Sequence, residues 1–202
     1  MTSQDQARLG YFGALFGTAA HLGYNVWQGP QPNGEQPLAS PALSLANHLG
    51  FWALAWLCAS LACTPLRLWT GAVWPGRWRK RFGVTAFALS VLHVATWVVG
   101  EKSFHVSAMV QDFADKPWLI AGALASLCLW ALALTTPAVI ARRLGGVRWR
   151  LLHRLVYVAA GLAIAHYALR PNANVQHWLA FAVLIVLLLF ARRRGPLAKP
   201  LR

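Results

Sequence analysis

The stretch FGVTAFALSVLHVATWVVG, Phe82–Gly100, decides the fold because it contains no Asp, Glu, Lys or Arg. A helix needs about 20 mostly apolar residues to cross the roughly 30 Å hydrocarbon core of a bilayer, and this stretch is close to that length. His93 lies well inside it. A histidine in a membrane span is costly and marks a functional site by default. The stretch therefore predicts a membrane helix that carries a functional imidazole.

The composition of the whole chain fits an integral membrane protein. Its 202 residues are 57% hydrophobic and only 12% charged, and the mean hydropathy is +0.46. The net charge of +14 would also suit a nucleic-acid-binding protein. Here, however, the positive residues punctuate long apolar runs, which favours a membrane protein that contacts lipid and no nucleic acid.

Six apolar segments are each close to the length that a membrane helix requires. They are Leu9–Trp27, Leu45–Leu66, Phe82–Gly100, Trp118–Ile140, Leu151–Leu169 and Val175–Ala191. The first is not followed by a convincing signal-peptide cleavage site, so we expect it to be retained as a helix. The prediction is an all-α integral membrane bundle of six transmembrane helices, in which residues 1–202 form a single domain.

The distribution of positive charge sets the orientation of this bundle. Cytoplasmic loops of membrane proteins collect Lys and Arg. If the N-terminus is cytoplasmic, all 19 Lys and Arg residues fall toward the cytoplasm except Lys102, Lys116 and Arg170. An odd number of spans would scatter the same clusters to both faces. The sequence therefore predicts that both termini are cytoplasmic.

Three histidines within the apolar segments differ in depth. At a rise of about 1.5 Å per residue, His93 lies roughly 16 Å and His166 roughly 22 Å from the inner ends of their helices. His153 lies only about 3 Å from the inner end of the helix that it shares with His166. Imidazole is an axial ligand of haem iron. Helix tilt and rotamer choice can absorb a few ångströms, so we expect His93 and His166 to hold one haem iron between two spans.

His153 has no partner histidine near the inner surface, and two interpretations follow. In the first, it is a ligand of a second, inner haem whose other ligand is not a histidine. In the second, it is an interfacial group beside Arg154. His21 and His48 also lie in apolar helices and are the next candidates for ligands.

Two other classes of membrane protein are disfavoured. An intramembrane serine protease presents a serine next to a histidine, and Ser60, Ser90 and Ser126 lack a GxSxG-like setting. A proton-coupled transporter usually carries carboxylates within its spans, whereas the six predicted spans contain no Asp or Glu. The histidine pattern therefore favours electron transfer.

The residues around the histidines resemble those of one known family. The most specific stretch is RWRLLHRLVY at 148–157, preceded by RRLG at 142–145. Agreement extends to TPLR at 64–67, RKRFG at 79–83 with AF at 86–87 and LH at 92–93, and KPW at 116–118. Together they resemble the haem-binding membrane subunit (MsrQ) of the periplasmic methionine-sulfoxide reductase system, within the ferric-reductase-like transmembrane group.

This resemblance implies a b-type haem with His93 and His166 as its metal ligands, and His153 as a third haem-associated, cofactor-binding residue. It implies a multi-pass protein of the bacterial inner membrane. This protein would be an electron-transfer subunit rather than the catalytic subunit of its oxidoreductase system. The acceptor would be a periplasmic molybdenum-containing reductase that repairs oxidised methionine in envelope proteins.

The resemblance also implies the electron donors, which are the quinone pool or a cytosolic flavin reductase, and it allows FMN to bind this chain. Inner-face arginines such as Arg79, Arg148 and Arg154 suit haem propionates or a flavin phosphate, although topology alone also explains them. The alternative is a haem-containing, ferric-reductase-like electron conduit with a different acceptor.

Overall fold

A computed structural model of the chain describes residues 3–28, 40–171 and 173–193, and the regular secondary structure in these ranges is entirely helical. The elements are α1 (Ser3–Gln28), α2 (Pro41–Thr70), α3 (Trp74–Ala95) continued by a π-helical turn (Thr96–Glu101), α4 (Val106–Asp115), α5 (Pro117–Leu134), α6 (Ala138–Leu144), α7 (Gly146–Leu152), α8 (Leu155–Ala168) and α9 (Val175–Arg193). The all-α prediction is confirmed.

Helix α2 is the centre of the bundle. It begins with the N-cap Ser40, whose hydroxyl accepts a hydrogen bond from the Leu43 N–H, and with Pro41 in the first turn. It ends at Gly71, a left-handed C-cap with φ of 70°. Helices α1, α3, α8 and α9 all contact it, and much of the buried core belongs to it, including Trp56 and Leu57.

The remaining long helices form one tight pair and an outer layer. Helix α5 packs against α8, and α8 contains two fully buried small residues, Ala159 and Ala160. The outward faces of α5 and α9 expose large apolar side chains. Lipid tails are as apolar as leucine, so such faces suit a bilayer.

Five helical segments in the described ranges are long and apolar enough to cross a membrane: Pro41–Thr70, Trp74–Glu101, Pro117–Leu134, Gly146–Ala168 and Val175–Arg193. The chain is thus a multi-pass membrane protein. Helix α1 is not among these five, although a span was predicted there. The sixth span and the cytoplasmic position of the termini stay predictions.

Helix α1 nevertheless packs along α2 and α3 through polar contacts. The Tyr11 hydroxyl lies 2.9 Å from Thr85 Oγ1 near one end, and Trp52 Nε1 donates to His21 Nδ1 at 3.1 Å near the other. Between them, Trp56 Nε1 donates to Thr18 Oγ1 at 3.3 Å. Side chains that hydrogen-bond to neighbouring helices explain why this helix can belong to the bundle with a less apolar sequence.

Two helices end elsewhere than the apolar pattern predicted. The span predicted over Trp118–Ile140 stops at Leu134, shortly before Pro137, which disfavours helical backbone at the residue that precedes it. The span predicted over Leu151–Leu169 is interrupted at His153 and Arg154, where the Arg154 N–H bonds the Leu151 carbonyl in a tighter turn.

Candidate functional site

His93 and His166 face each other from different helices. The centroids of their rings lie 6.0 Å apart, and the ring planes meet at 81°. His93 lies in the last turn of α3, and His166 lies near the end of α8. Both side chains are half-buried. The structure thus brings together the two histidines that were paired by depth along the chain.

Each of these imidazoles is hydrogen-bonded to a backbone carbonyl of another helix, α2 for His93 and α5 for His166. His93 Nδ1 lies 2.7 Å from the Ala46 oxygen of α2, and His166 Nδ1 lies 2.8 Å from the Trp118 oxygen of α5. A carbonyl oxygen only accepts, so Nδ1 of each neutral ring carries the proton and donates it. Nε2 then has the free lone pair, which is the tautomer that a metal-binding histidine uses when its other nitrogen is held in this way.

Two glycines leave the room that the rings occupy. Gly50 and Gly122 each follow, by one helical turn, the residue whose carbonyl holds an imidazole. A Cβ atom at Gly50 would lie 3.1 Å from Nδ1 of His93, and one at Gly122 would lie 2.6 Å from Nδ1 of His166. Helices α2 and α5 therefore hold their histidines by the same device, a carbonyl with a glycine one turn later.

The pair has the chemistry of two ligands to one metal ion. Imidazole nitrogen binds a transition metal at about 2 Å, and ring centroids 6.0 Å apart can place one ion between them. No cluster of three or more His, Cys, Asp or Glu that could hold a metal occurs within the described ranges. The two histidines fit the axial positions of a haem, whose macrocycle supplies the other ligands.

His153 lies at the opposite end of the α5–α8 pair. Its Nε2 is 3.3 Å from the Thr135 hydroxyl, just after α5, whereas His166 contacts Trp118 at the start of α5. These contacts are roughly 25 Å apart at the rise of a helix. The ring of Trp149 stacks on His153 with centroids 3.9 Å apart. His153 is therefore not part of the His93–His166 pair.

The other histidines lie outside the pair as well. His21 of α1 and His48 of α2 contact each other with ring centroids 5.5 Å apart, and Trp52 donates to His21. His105 and His177 are exposed.

The residues that orient the two imidazoles were not predicted from the sequence. The carbonyls of Ala46 and Trp118 have no signature in a sequence, because every residue has a carbonyl. Gly50 and Gly122 did offer a signal, since glycine inside a helix costs about 1 kcal/mol relative to alanine and so often has a packing reason.

Comparison with known proteins defines first the class and then the family. The model of the ferric reductase like transmembrane component family matches residues 12–164. These residues include the whole α2–α3 unit and most of α8 up to two residues before His166. The chain belongs to the ferric-reductase-like transmembrane family and, within it, to the MsrQ family.

The second assignment comes from individual relatives. The protein-methionine-sulfoxide reductase heme-binding subunit MsrQ of Rhodospirillum rubrum is 37% identical over 189 residues, which cover 94% of this chain and 89% of the relative. The protein of the same name from Ralstonia nicotianae is 40% identical over 129 residues, covering 64% and 59%. The magnetosome protein MamZ of Magnetospirillum gryphiswaldense is 31% identical over 90% of this chain, but this match covers only 28% of MamZ.

Proposed function

We propose that this protein is a haem b electron-transfer subunit that passes electrons across the bacterial inner membrane to a periplasmic methionine-sulfoxide reductase. The observation that carries the proposal is the pair of facing imidazoles of His93 and His166, each held at Nδ1 by a carbonyl. Relatives named as heme-binding subunits of that reductase support the same conclusion.

When bound, haem supplies a one-electron iron couple. Nε2 of His93 and Nε2 of His166 would bind its iron, and the residues around them would orient the group. The carbonyls of Ala46 and Trp118 fix the rotation of the rings and increase the basicity of the ligands through the Nδ1–H bond. The apolar helices around the pair exclude water and thereby affect the redox potential.

The family and the position of the pair support a proposal for the acceptor and the donor. The histidines lie toward the end of the bundle that contains Lys102, Lys116 and Arg170. Under the proposed six-span topology this end is periplasmic, so electrons would leave toward a molybdenum-containing catalytic subunit there. The quinone pool or a cytosolic flavin reductase is the proposed donor.

The opposite end suits the entry of electrons on the cytoplasmic side. His153 lies there, as do Arg79, which donates to Thr64 Oγ1 at 3.5 Å, and Arg192, which donates to the Tyr157 hydroxyl. Guanidinium groups suit phosphate and carboxylate. FMN bound by its phosphate, or a second haem associated with His153, is the proposed occupant of this end.

The proposal is tested by a reduced-minus-oxidised absorption spectrum of the purified protein after expression with ample haem. The wild type is expected to show b-type bands, and His93→Ala and His166→Ala are each expected to lose them. His105→Ala is the matched control, because His105 is exposed and its Nδ1 contacts only the local Lys102 carbonyl among the recorded hydrogen bonds. A colourless wild type, or full haem in both variants, would overturn the proposal.

The acceptor needs a separate experiment. Protein reduced in proteoliposomes is mixed with a molybdenum-containing methionine-sulfoxide reductase or with a ferric chelate. Rapid oxidation by the reductase alone supports the proposed acceptor, whereas rapid oxidation by the chelate alone supports the alternative of a metal-reducing conduit, as in the ferric-reductase-like class.

A further inference from the structure

A half-buried arginine lies beside the histidine pair and connects two helices. Arg170 follows the C-terminus of α8, and its Nη1 donates to the side-chain oxygen of Asn47 in α2. Its guanidinium also lies over the ring of Tyr167, 5.6 Å from the centroid. These contacts hold the Arg170 guanidinium at the same end of the bundle as His166.

Asn47 and Arg170 both lie close to the residues that hold or form the His93–His166 pair. Asn47 directly follows Ala46, whose carbonyl holds His93. Arg170 lies about one helical turn beyond His166, at the same end of the bundle. The contact is therefore adjacent to the place where a ligand of the two histidines would lie.

Within the described ranges, the Arg170 guanidinium forms no ion pair. Burial lowers the pKa of the Arg170 guanidinium, but guanidinium stays protonated in proteins. Asn47 and Tyr167 are neutral and do not offset the charge. Both ion pairs found within the described ranges belong to Asp112. A partly desolvated cation is stabilised by a carboxylate, which the guanidinium fork can bind through two parallel hydrogen bonds.

We propose that Arg170 and Asn47 form a carboxylate-binding site for a propionate side chain of the porphyrin held by His93 and His166. This inference rests on the proposed function. Arg170 binds the propionate through the donors that Asn47 does not use, and Asn47 positions the guanidinium. The site thus anchors the macrocycle and places a positive charge near the iron, which favours the reduced state and raises the potential.

The test compares Arg170→Gln with Arg170→Lys in otherwise intact, detergent-solubilised protein. In Arg170→Gln we expect a lower haem midpoint potential and a haem dissociation constant raised roughly tenfold or more. We also expect a shifted propionate bending mode in the resonance Raman spectrum. The potential should acquire a pH dependence near neutrality, since the propionate would no longer be held ionised. Arg170→Lys keeps the charge and should restore the potential in part.

Two further variants separate this site from general effects of charge or folding. Arg143→Gln removes an exposed charge from α6 at the opposite end and should change none of these readouts. Asn47→Ala should show the same shifts as Arg170→Gln, but smaller ones. Size-exclusion profiles identify any variant that fails to fold, and Arg170→Lys then carries the comparison.

The inference fails if Arg170→Gln folds with an unchanged potential, unchanged pH dependence and an unchanged propionate mode. In that case haem loss in His93→Ala and His166→Ala would still support the proposed function. A midpoint shift without any change in the propionate mode would also overturn the inference, because it would show that Arg170 acts through space and does not bind the carboxylate. If the wild type holds no haem, the inference falls with the proposed function.

Discussion

Gly122 lies so close to His166 that a Cβ at this position would come within 2.6 Å of the imidazole Nδ1. The ring is also bonded through that atom, to the Trp118 carbonyl at 2.8 Å, so it cannot withdraw without losing the bond. We predict that Gly122→Ala turns the imidazole, weakens haem binding about tenfold or more, and changes the electron paramagnetic resonance (EPR) signal of the ferric protein.

Substitutions at two other glycines test this prediction, one as a weaker version and one as a control. Gly50→Ala should have a smaller effect, because its Cβ would lie 3.1 Å from the His93 ring. Gly161→Ala in α8 adds a methyl group that meets no atom within 4 Å other than its chain neighbours and its own helical backbone, and it should stabilise the helix by up to about 1 kcal/mol. Equal haem affinity in the Gly122 and Gly161 variants would contradict the proposed packing.

A second prediction concerns Asp112 in α4, outside the membrane spans. Burial raises the pKa of this carboxyl group, but hydrogen bonds and charge from Lys102 and Lys116, at 2.6 and 2.7 Å, outweigh burial and hold the pKa below its usual 3.8. A lowered folded-state pKa contributes stability that is complete above 3.8 and is lost as the pH falls through the folded value.

We therefore expect hydrogen exchange in α4 and the adjoining turn to accelerate when the pH falls below 3.8, after correction for the intrinsic rate. Asp112→Asn should remove this acid dependence and destabilise the segment at neutral pH by about 1–3 kcal/mol, between the values for exposed and buried pairs. Asp115→Asn is the control. The account is wrong if the Asp112 variant retains the wild-type acid dependence.

A third prediction separates His153 from the histidine pair. His153 contacts Thr135 and Trp149 at the far end of α5 and α8. We expect His153→Ala to retain the low-spin EPR signal assigned to the His93–His166 haem. If this variant loses haem, the haem-to-protein ratio should fall while the signal of the His93–His166 haem stays unchanged. Disappearance of the signal would show that His153 is one of its ligands.

A fourth prediction concerns the topology. Helix α1 contacts α3 through Tyr11 and α2 through His21, which supports a sixth span. Reporter fusions that are active only in the periplasm or only in the cytoplasm should place both termini in the cytoplasm and α4 in the periplasm. Termini on opposite sides would show that five helices cross the membrane and that α1 does not.

Much of the architecture could be predicted because apolar length determines a membrane helix. The sequence also indicated which two histidines meet, since depth along a helix follows directly from residue number. Helix ends were less predictable. The predicted apolar run continues to Ile140, but α5 ends at Leu134, shortly before Pro137, whose local effect on the backbone opposes the run.

The supporting contacts of the site could not be predicted for a different physical reason. The spans are apolar around their whole circumference, so periodicity does not reveal which face of α2 meets α3 or which face of α5 meets α8. Without that rotation, Gly50 and Gly122 cannot be assigned to the histidines. The contact between Arg170 and Asn47 joins residues far apart in the sequence and depends on the same rotation.

The most direct test of the central claim is the low-temperature EPR spectrum of the ferric protein, recorded for the wild type and for His93→Ala and His166→Ala. Ligation by both imidazoles predicts a low-spin signal in the wild type that each substitution abolishes or converts to high spin. Persistence of the wild-type low-spin signal in either variant would contradict the claim that His93 and His166 bind the same iron.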